Sequence, residues 1–250
     1  METAEYATMF RVEETHWWYR ALHQLVFQAL EEELPDWREK EIVDVGCGTG
    51  AILKRLGNPD KNVGVDLASE ALSFCRQRGL HNVRQGDICA LPFSDASFDA
   101  VICSSVLYHQ WVKDIAAAVQ EMHRVLRPGG LLLINVPAFS FLHSPHDEAV
   151  MTARRFEKKE LRDLLQKQNF EIRRLTYWTT FLFPLAVAAR TLGGSRMGRD
   201  FQTAKTSLTQ RAFARIMKLE LRLLKRISLP FGVALFAVAR MQGKVSAYAS

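Results

Sequence analysis

The sequence predicts an α/β protein whose doubly wound sheet has seven strands, mostly parallel but with an antiparallel last strand. Short apolar runs alternate with helical segments along most of the chain, and a glycine-rich turn follows the first of these runs. The chain has 250 residues, 48% of them hydrophobic, which suits one globular domain. We therefore expect a single domain over residues 1–250, with an N-terminal helical cap and a helical insertion before the last strand.

The individual elements follow from periodicity and from turn residues. Leu22, Leu25, Val26 and Leu30 recur at helical spacing, which predicts a helix over 16–33 that ends before Pro35. Apolar runs predict strands over 41–45, 62–66, 82–85, 98–104, 131–136, 171–178 and 231–238. Helical spacing predicts helices over 51–56, 69–78, 113–125 and 157–168, and two more within 181–226 around Gly193 and Gly194. Residues 128–130 are expected to form a turn.

Composition limits the function classes. None of the four cysteines forms a C-x-x-C pair, so we predict reduced thiols and no metal site. The N-terminus lacks a signal-peptide pattern, and the longest apolar stretch, 181–189, is too short to span a bilayer. These features predict a soluble cytoplasmic protein. The net charge of +6 arises mainly between residues 190 and 226, so a general nucleic-acid partner is not expected.

The glycine-rich turn at 44–50 predicts a ligand site. A turn from a strand into a helix brings backbone close to a ligand and directs helix N–H groups at it. Gly46, Gly48 and Ala51 also satisfy the dinucleotide pattern, with Asp66 placed where an acid would bind ribose hydroxyls. The glycines alone therefore fit a nicotinamide enzyme and a methyltransferase equally.

Asp44 favours the second interpretation. Its carboxylate at the end of the first strand would repel a pyrophosphate. S-adenosylmethionine carries an ammonium and a sulfonium instead, and a carboxylate complements both. The structural alternative is that Asp44 only caps the turn.

Five motifs in register resemble the class I S-adenosylmethionine-dependent methyltransferases, of a bacterial small-molecule type. They are I-V-D-V-G-C-G-T-G at 42–50, V-G-V-D-L at 63–67, Q-G-D-I at 85–88, F-D-A-V-I-C-S at 98–104 and V-L-R-P-G-G at 125–130. The resemblance covers about residues 40–178 and implies a seven-stranded Rossmann-like domain. It divides the chain into a cap (1–40), a cofactor-binding core (41–178), a helical insertion or lid (179–228) and the last strand with its tail (229–250).

The resemblance also implies which residues hold S-adenosylmethionine and its product S-adenosylhomocysteine. Asp66 would bind both ribose hydroxyls, and Asp87 would accept from the adenine amino group while Ile88 packs on the ring. Arg20 on the N-terminal helix corresponds in position to an arginine that pairs with the cofactor carboxylate, or it is a solvated charge. The cofactor set is Arg20, Asp44, Gly46, Cys47, Gly48, Gly50, Asp66, Leu67, Asp87, Ile88 and Ser104.

Residues 13–19 resemble an N-terminal signature of one bacterial subgroup. Its aromatic side chains would cover the cofactor. Core packing of Trp17 or Trp18 is the alternative.

The acceptor is expected at the loops that follow the fourth and fifth strands. His109 and His146 are candidate general bases, since histidine titrates near neutrality. Tyr108, His143, Asp147 and Arg155 are candidate substrate contacts. His109 could instead cap a helix, and Asp147 with Arg155 could form a structural salt bridge. The family's N/D-P-P-Y signature for amine methylation of bases or amides is absent, which argues against DNA adenine and glutamine side chains as acceptors. The predicted reaction is O-methylation of a small-molecule or lipid-like acceptor.

Arg211, Arg215, Lys218, Arg222 and Lys225 recur at helical spacing beside the apolar positions Ala212, Ile216, Leu219 and Leu223. Three interpretations stay open: a packed lid helix, peripheral contact of 206–226 with an anionic membrane, or a homodimer face rather than a monomer. A nicotinamide-dependent oxidoreductase and a catalytically inactive cofactor-binding protein are the alternative functions.

Overall fold

The computed structural model describes residues 3–191 and 207–242. Its strands are β1 (Ile42–Val45), β2 (Val63–Asp66), β3 (Val83–Gln85), β4 (Phe98–Ser104), β5 (Leu126–Pro137), β6 (Phe170–Trp178) and β7 (Ala234–Met241). They form one sheet in the order β3-β2-β1-β4-β5-β7-β6. β7 is antiparallel to both neighbours, and all other neighbouring pairs are parallel. The predicted doubly wound sheet with an antiparallel last strand is confirmed.

The helices cover both faces of this sheet. They are α1 (Thr3–Val12), α2 (Trp17–Glu33), α3 (Ala51–Leu56), α4 (Ser69–Gln77), α5 (Ile115–Val125), α6 (Pro145–Ala149), α7 (Lys158–Lys167), α8 (Phe183–Thr191) and α9 (Ser207–Leu224). One apolar core joins α5 and α7 to side chains such as Val43 and Val101. The other joins α2, α3 and α9 to Ile42 and Ile102. Successive residues of a strand thus point into the two cores on opposite faces of the sheet, because side chains alternate between the faces along a strand.

Several element boundaries differ from the prediction. The expected turn at 128–130 lies inside β5, because Phe98 pairs with Leu126 and Ala100 pairs with Leu131, which leaves the intervening residues as an irregularity of the strand. The last strand begins three residues later than expected, at Ala234. Helix α1 was not predicted. The Gly193–Gly194 break lies outside the described residues.

The carboxyl ends of β1 and β4 define the site. The chain leaves β1 toward β2 and β3 on one side, whereas β4 and β5 lie on the other. In doubly wound sheets, ligands bind in the crevice at this reversal of strand order. Within the described residues, no helix combines the length and apolarity needed to cross a membrane.

Candidate functional site

The glycine loop follows β1 and enters α3 through left-handed backbone. Gly46, Gly48 and Gly50 have φ values of +72°, +55° and +84°, a region that favours glycine. A Cβ on Gly46 would also collide with the Val106 side chain. The N–H groups of Gly46 and Cys47 both donate to the Val65 carbonyl, at 2.7 and 2.9 Å. The loop is therefore a rigid turn fixed to β2.

Asp44 is the next-to-last residue of β1, one residue before this loop. Its side chain is 2% exposed, and Oδ2 has no hydrogen-bond partner among the described residues. Burial raises the pKa of Asp44 to about 8, and the nearby carboxylates of Asp66 and Glu13 contribute. A buried oxygen without a donor is costly in a folded protein, and a cationic group beside it would relieve that cost.

Asp66 ends β2 next to the loop. Its Oδ2 accepts from the Gly48 N–H and its Oδ1 from the Ala68 N–H, both at 2.9 Å. Burial raises the pKa of this carboxyl, while the backbone donors oppose the shift. Leu67 is exposed beside it. The carboxylate is therefore held in place by the loop whose ligand it is predicted to contact.

The remaining predicted cofactor residues lie at the neighbouring strand ends. Asp87 is exposed, and its Oδ1 accepts from the Cys89 N–H at 2.8 Å, whereas Ile88 is buried. The buried Oγ of Ser104, at the end of β4, has no partner among the described residues. Cys47 is buried with its Sγ 3.9 Å from the Cys75 Sγ. Apart from Arg20, the predicted set lies at the carboxyl ends of β1 to β4 or in the loops that follow them.

Arg20 lies elsewhere. It is exposed on α2 and lines an open groove with Gln24, Ala51 and Lys54. Asp44 and Asp66 are not among the residues that line this groove. The pairing of Arg20 with the cofactor carboxylate therefore stays a prediction.

Helix α1 covers the glycine loop, a feature that the sequence reasoning missed. Tyr6 is buried, and burial together with Asp66 and Glu70 raises the pKa of its hydroxyl. A Cβ on Gly48 would lie 2.8 Å from the Met9 Cε. The aromatic residues near the N-terminus were the available signal, but their density did not reveal which surface they cover.

Arg78 fastens α1 to the loop and was also missed. Its Nε donates to the Thr49 carbonyl at 2.7 Å, and its Nη2 donates to the Phe10 carbonyl at 3.0 Å. The guanidinium also pairs with Glu13 and Glu14 at 2.5 Å. Glu13 in turn accepts from the Thr49 hydroxyl, and burial raises the pKa of Glu13 to about 7 against the opposing effect of Arg78.

Trp17 and Trp18 pack in the core. Trp17 is buried and meets Phe213 of α9 edge to face, and Trp18 stacks on Trp178 with ring centres 5.5 Å apart. Both rings therefore make the core contacts of the packing alternative.

The loop after β4 places a buried histidine beside polar groups. His109 is buried, its ring stacks on Trp111 at 4.2 Å, and burial lowers its pKa to about 4. Its Nδ1 has no partner among the described residues. Burial raises the pKa of Tyr108, whose hydroxyl bonds to Ser105. Burial therefore keeps this imidazole in its neutral form at neutral pH.

A buried amide orders this same loop. Asn135 on β5 donates through Nδ2 to the Ser105 Oγ at 3.0 Å and accepts from the Trp178 Nε1 at 2.8 Å. Ser105 itself has a φ of +65°. Asn135 was not singled out in the sequence, because nothing in its pattern separates it from the apolar residues around it.

The loop after β5 is held by a buried ion pair. Arg155 donates to both carboxylate oxygens of Asp147, each at 3.0 Å, and to the Ala138 carbonyl at 2.9 Å. Ser144 donates to the same carboxylate. Asp147 and Arg155 thus satisfy each other and shape the loop. His143 is exposed, and the His146 side chain lies outside the described part.

An aromatic cluster borders this edge of the sheet. Phe139 stacks on Tyr177 with ring centres 4.9 Å apart and meets Phe183 at 5.8 Å. Phe183 in turn contacts Phe141 and Phe231, which are 62% and 42% exposed. The cluster joins the segments after β5 and β6 and before β7, and it gives this edge of the sheet an apolar border.

A family model described as a methyltransferase domain matches residues 43–134. A probable S-adenosylmethionine-dependent methyltransferase of Mycolicibacterium smegmatis is 31% identical over 164 residues, which cover 64% of this chain and 61% of that protein. The malonyl-[acyl-carrier protein] O-methyltransferase of Serratia marcescens is 39% identical, covering 43% of this chain and 42% of its own length. A fatty-acid O-methyltransferase of M. smegmatis is 42% identical, covering 39% of this chain and 37% of its own. The chain thus spans at most 61% of these relatives.

The architecture is found in solved structures as well. A Thermotoga maritima S-adenosylmethionine-dependent methyltransferase, described as a possible histamine N-methyltransferase, superimposes with a TM-score of 0.60. The match covers 96% of both chains at 22% sequence identity, so it shows the fold alone.

Proposed function

Because this chain belongs to the class I S-adenosylmethionine-dependent methyltransferases, we propose that it transfers a methyl group to an oxygen of a small-molecule or lipid-like acceptor. S-adenosylmethionine would supply the methyl group through its sulfonium, leaving S-adenosylhomocysteine. The observation that carries this proposal is the buried, unpartnered oxygen of Asp44 at the crevice between β1 and β4.

The residues present fit this cofactor. The Asp44 carboxylate complements a cation, and a pyrophosphate at the same place would be repelled. The left-handed glycines allow the backbone to approach the ligand closely. Asp66, whose carboxylate accepts from the Gly48 N–H, would also accept from ribose hydroxyls, and exposed Asp87 with buried Ile88 would contact the adenine. Tyr6 and Met9 of α1 would exclude water from this side.

His109 is our candidate base. A displacement at an acceptor oxygen needs a proton removed when that oxygen is a hydroxyl, and a neutral imidazole can take it. Burial keeps the pKa of His109 near 4, so its basic form predominates at neutral pH. Its weak basicity means that it would mainly orient and polarise the acceptor, and a carboxylate acceptor would need no base. His143 and Tyr108 are proposed as secondary contacts.

An apolar part of the acceptor would lie along the aromatic cluster. The rings of Phe139, Phe141, Phe183 and Phe231 form one connected cluster in the segments after β5 and β6 and before β7. Two relatives act on acceptors named as a fatty acid and a malonyl-carrier protein, both of which carry carboxyl oxygens. This supports a carboxylic acceptor with an acyl chain, methylated at oxygen.

Titration calorimetry and turnover test the proposal separately. S-adenosylhomocysteine should bind, and NADH should not; the reverse result would assign an oxidoreductase. Radiolabelled methyl transfer to a panel of fatty acids of graded chain length should then give an ester product. Tight cofactor binding without turnover on any carboxylic, hydroxyl or amine acceptor would instead indicate a catalytically inactive binding protein.

A further inference from the structure

The outer side of α9 carries an apolar strip beside a basic one. Leu208, Ala212, Leu219 and Leu223 lie on one side at helical spacing, and the three leucines are 75%, 53% and 36% exposed. Next to them, the exposed basic side chains are Arg211, Arg215, Lys218 and Arg222. Large aliphatic side chains in a row at the surface, bordered by cations, distinguish this side from an ordinary solvated helix face.

The helix does not use this strip to pack on the domain. Met217, Leu221 and Leu224 are buried in the core beneath α2, and Phe213 meets Trp17. In the packed-lid interpretation of the sequence, Leu219 and Leu223 would face the domain, but the structure turns them outward. Packing is therefore complete without the strip.

The charge on this segment is one-sided as well. Between residues 207 and 226 the sequence contains six Lys or Arg and a single acid, Glu220. Glu220 is buried and accepts from the Phe181 N–H at 2.9 Å, so it neutralises nothing on the outer side. That bond also places Phe181, itself 42% exposed, next to α9.

We propose that the outer side of α9, with Phe181 beside it, docks in the plane of an anionic lipid bilayer. Basic side chains attract anionic headgroups while the neighbouring leucines enter the acyl boundary. The strip extends over the length of an 18-residue helix, which suits a flat surface. A symmetric contact with a second copy would oppose two sets of cations, and nucleic-acid binding would leave the leucines without a role.

Vesicle sedimentation with the full-length chain tests this directly. The wild type should sediment with phosphatidylcholine vesicles containing about one third phosphatidylglycerol, and much less with pure phosphatidylcholine or at high salt. Arg215→Gln/Arg222→Gln should lower the partition coefficient about 30-fold. Leu219→Gln/Leu223→Gln keeps the charge and should lower it at least about tenfold. These four side chains are exposed, so the fold and its melting temperature should be retained.

The matched control lies on the opposite face of the sheet. Arg162→Gln/Lys167→Gln removes the same charge from exposed positions of α7, which packs in the other core, and should leave vesicle binding unchanged. Hydrogen exchange in 207–226 should slow on anionic vesicles. The proposal is overturned if the wild type does not sediment with them, or if the α7 pair weakens binding as much as the α9 pairs. Two other results would also overturn the proposal. One is a dimer in solution that both α9 double variants dissociate. The other is binding to a purified acidic carrier protein without binding to vesicles.

Discussion

Replacing Asp44 by asparagine separates stability from function. The wild-type carboxyl is buried with an unpartnered oxygen, and burial raises its pKa from 3.8 to about 8. The native state therefore keeps a proton that the unfolded state has already released between those two pH values. The contribution of Asp44 to the free energy of unfolding is therefore most favourable at low pH. It falls as the pH rises between the two pKa values and is constant above them.

The size of the effect follows from the shift. Each unit of pKa difference corresponds to about 1.4 kcal/mol, so at neutral pH the carboxyl destabilises the native state by about 4 kcal/mol. Asparagine removes the ionisation but keeps a buried amide, so a net gain of about 2 to 4 kcal/mol is expected near neutrality. The free energy of unfolding of Asp44→Asn should exceed that of the wild type by an amount that grows by about 3 kcal/mol between about pH 5 and pH 7.5.

Urea unfolding of both proteins at these two pH values measures this growth. Asp60→Asn is the control, because Asp60 is an exposed carboxylate outside the site. Asp44→Asn should also weaken S-adenosylhomocysteine binding roughly 10- to 100-fold, because a charged partner is lost. For the wild type, that affinity should rise as pH increases toward about 8 and Asp44 ionises. A variant that is less stable at both pH values, or that binds as tightly as the wild type, would refute the reasoning.

Three further predictions concern the surrounding groups. Asp66→Ala should weaken cofactor binding severely, and unchanged affinity by calorimetry would remove the ribose assignment. His109→Gln should lower kcat, because the neutral imidazole is proposed to orient the acceptor, while leaving S-adenosylhomocysteine affinity unchanged; a loss of affinity instead would make its role structural. Asp147→Asn should destabilise the fold by about 3 to 5 kcal/mol in urea because it leaves Arg155 buried and uncompensated, whereas a loss near zero would mean that the pair is solvated.

The fold was largely predictable because its signals are local. Short apolar runs mark β1, β2 and β4, and these three strands are almost entirely buried. The boundaries of β5 and β7 were less predictable. Gly129 and Gly130 indicate a turn, but the strand resumes around them because β4 pairs on both sides of the irregularity. This pairing depends on β4, so it cannot be predicted from the residues of β5 alone.

The site was predictable where a residue's role follows from its place in a motif. Asp44 and Asp66 stand at strand ends, and the strand order brings them to one crevice. Arg78 carries no such mark, since it follows α4 as an ordinary helix-end cation. Its function becomes visible only when α1 folds back over the loop and places Glu13 and the Phe10 carbonyl within its reach.

Helix α9 shows where periodicity reaches its limit. Sequence periodicity shows which apolar residues share one side of a helix. When a helix has two apolar sides, periodicity does not show which of them packs on the domain. In this helix the side of Met217, Leu221 and Leu224 meets α2, because Trp17 and Phe213 fix the helix at one end and Gln28 donates to the Leu221 carbonyl further along. The side of Leu219 is thereby turned toward solvent together with the arginines. The same geometry that completes the core therefore creates the exposed surface, so a variant that alters only the outer side tests docking without disturbing the packing beneath it.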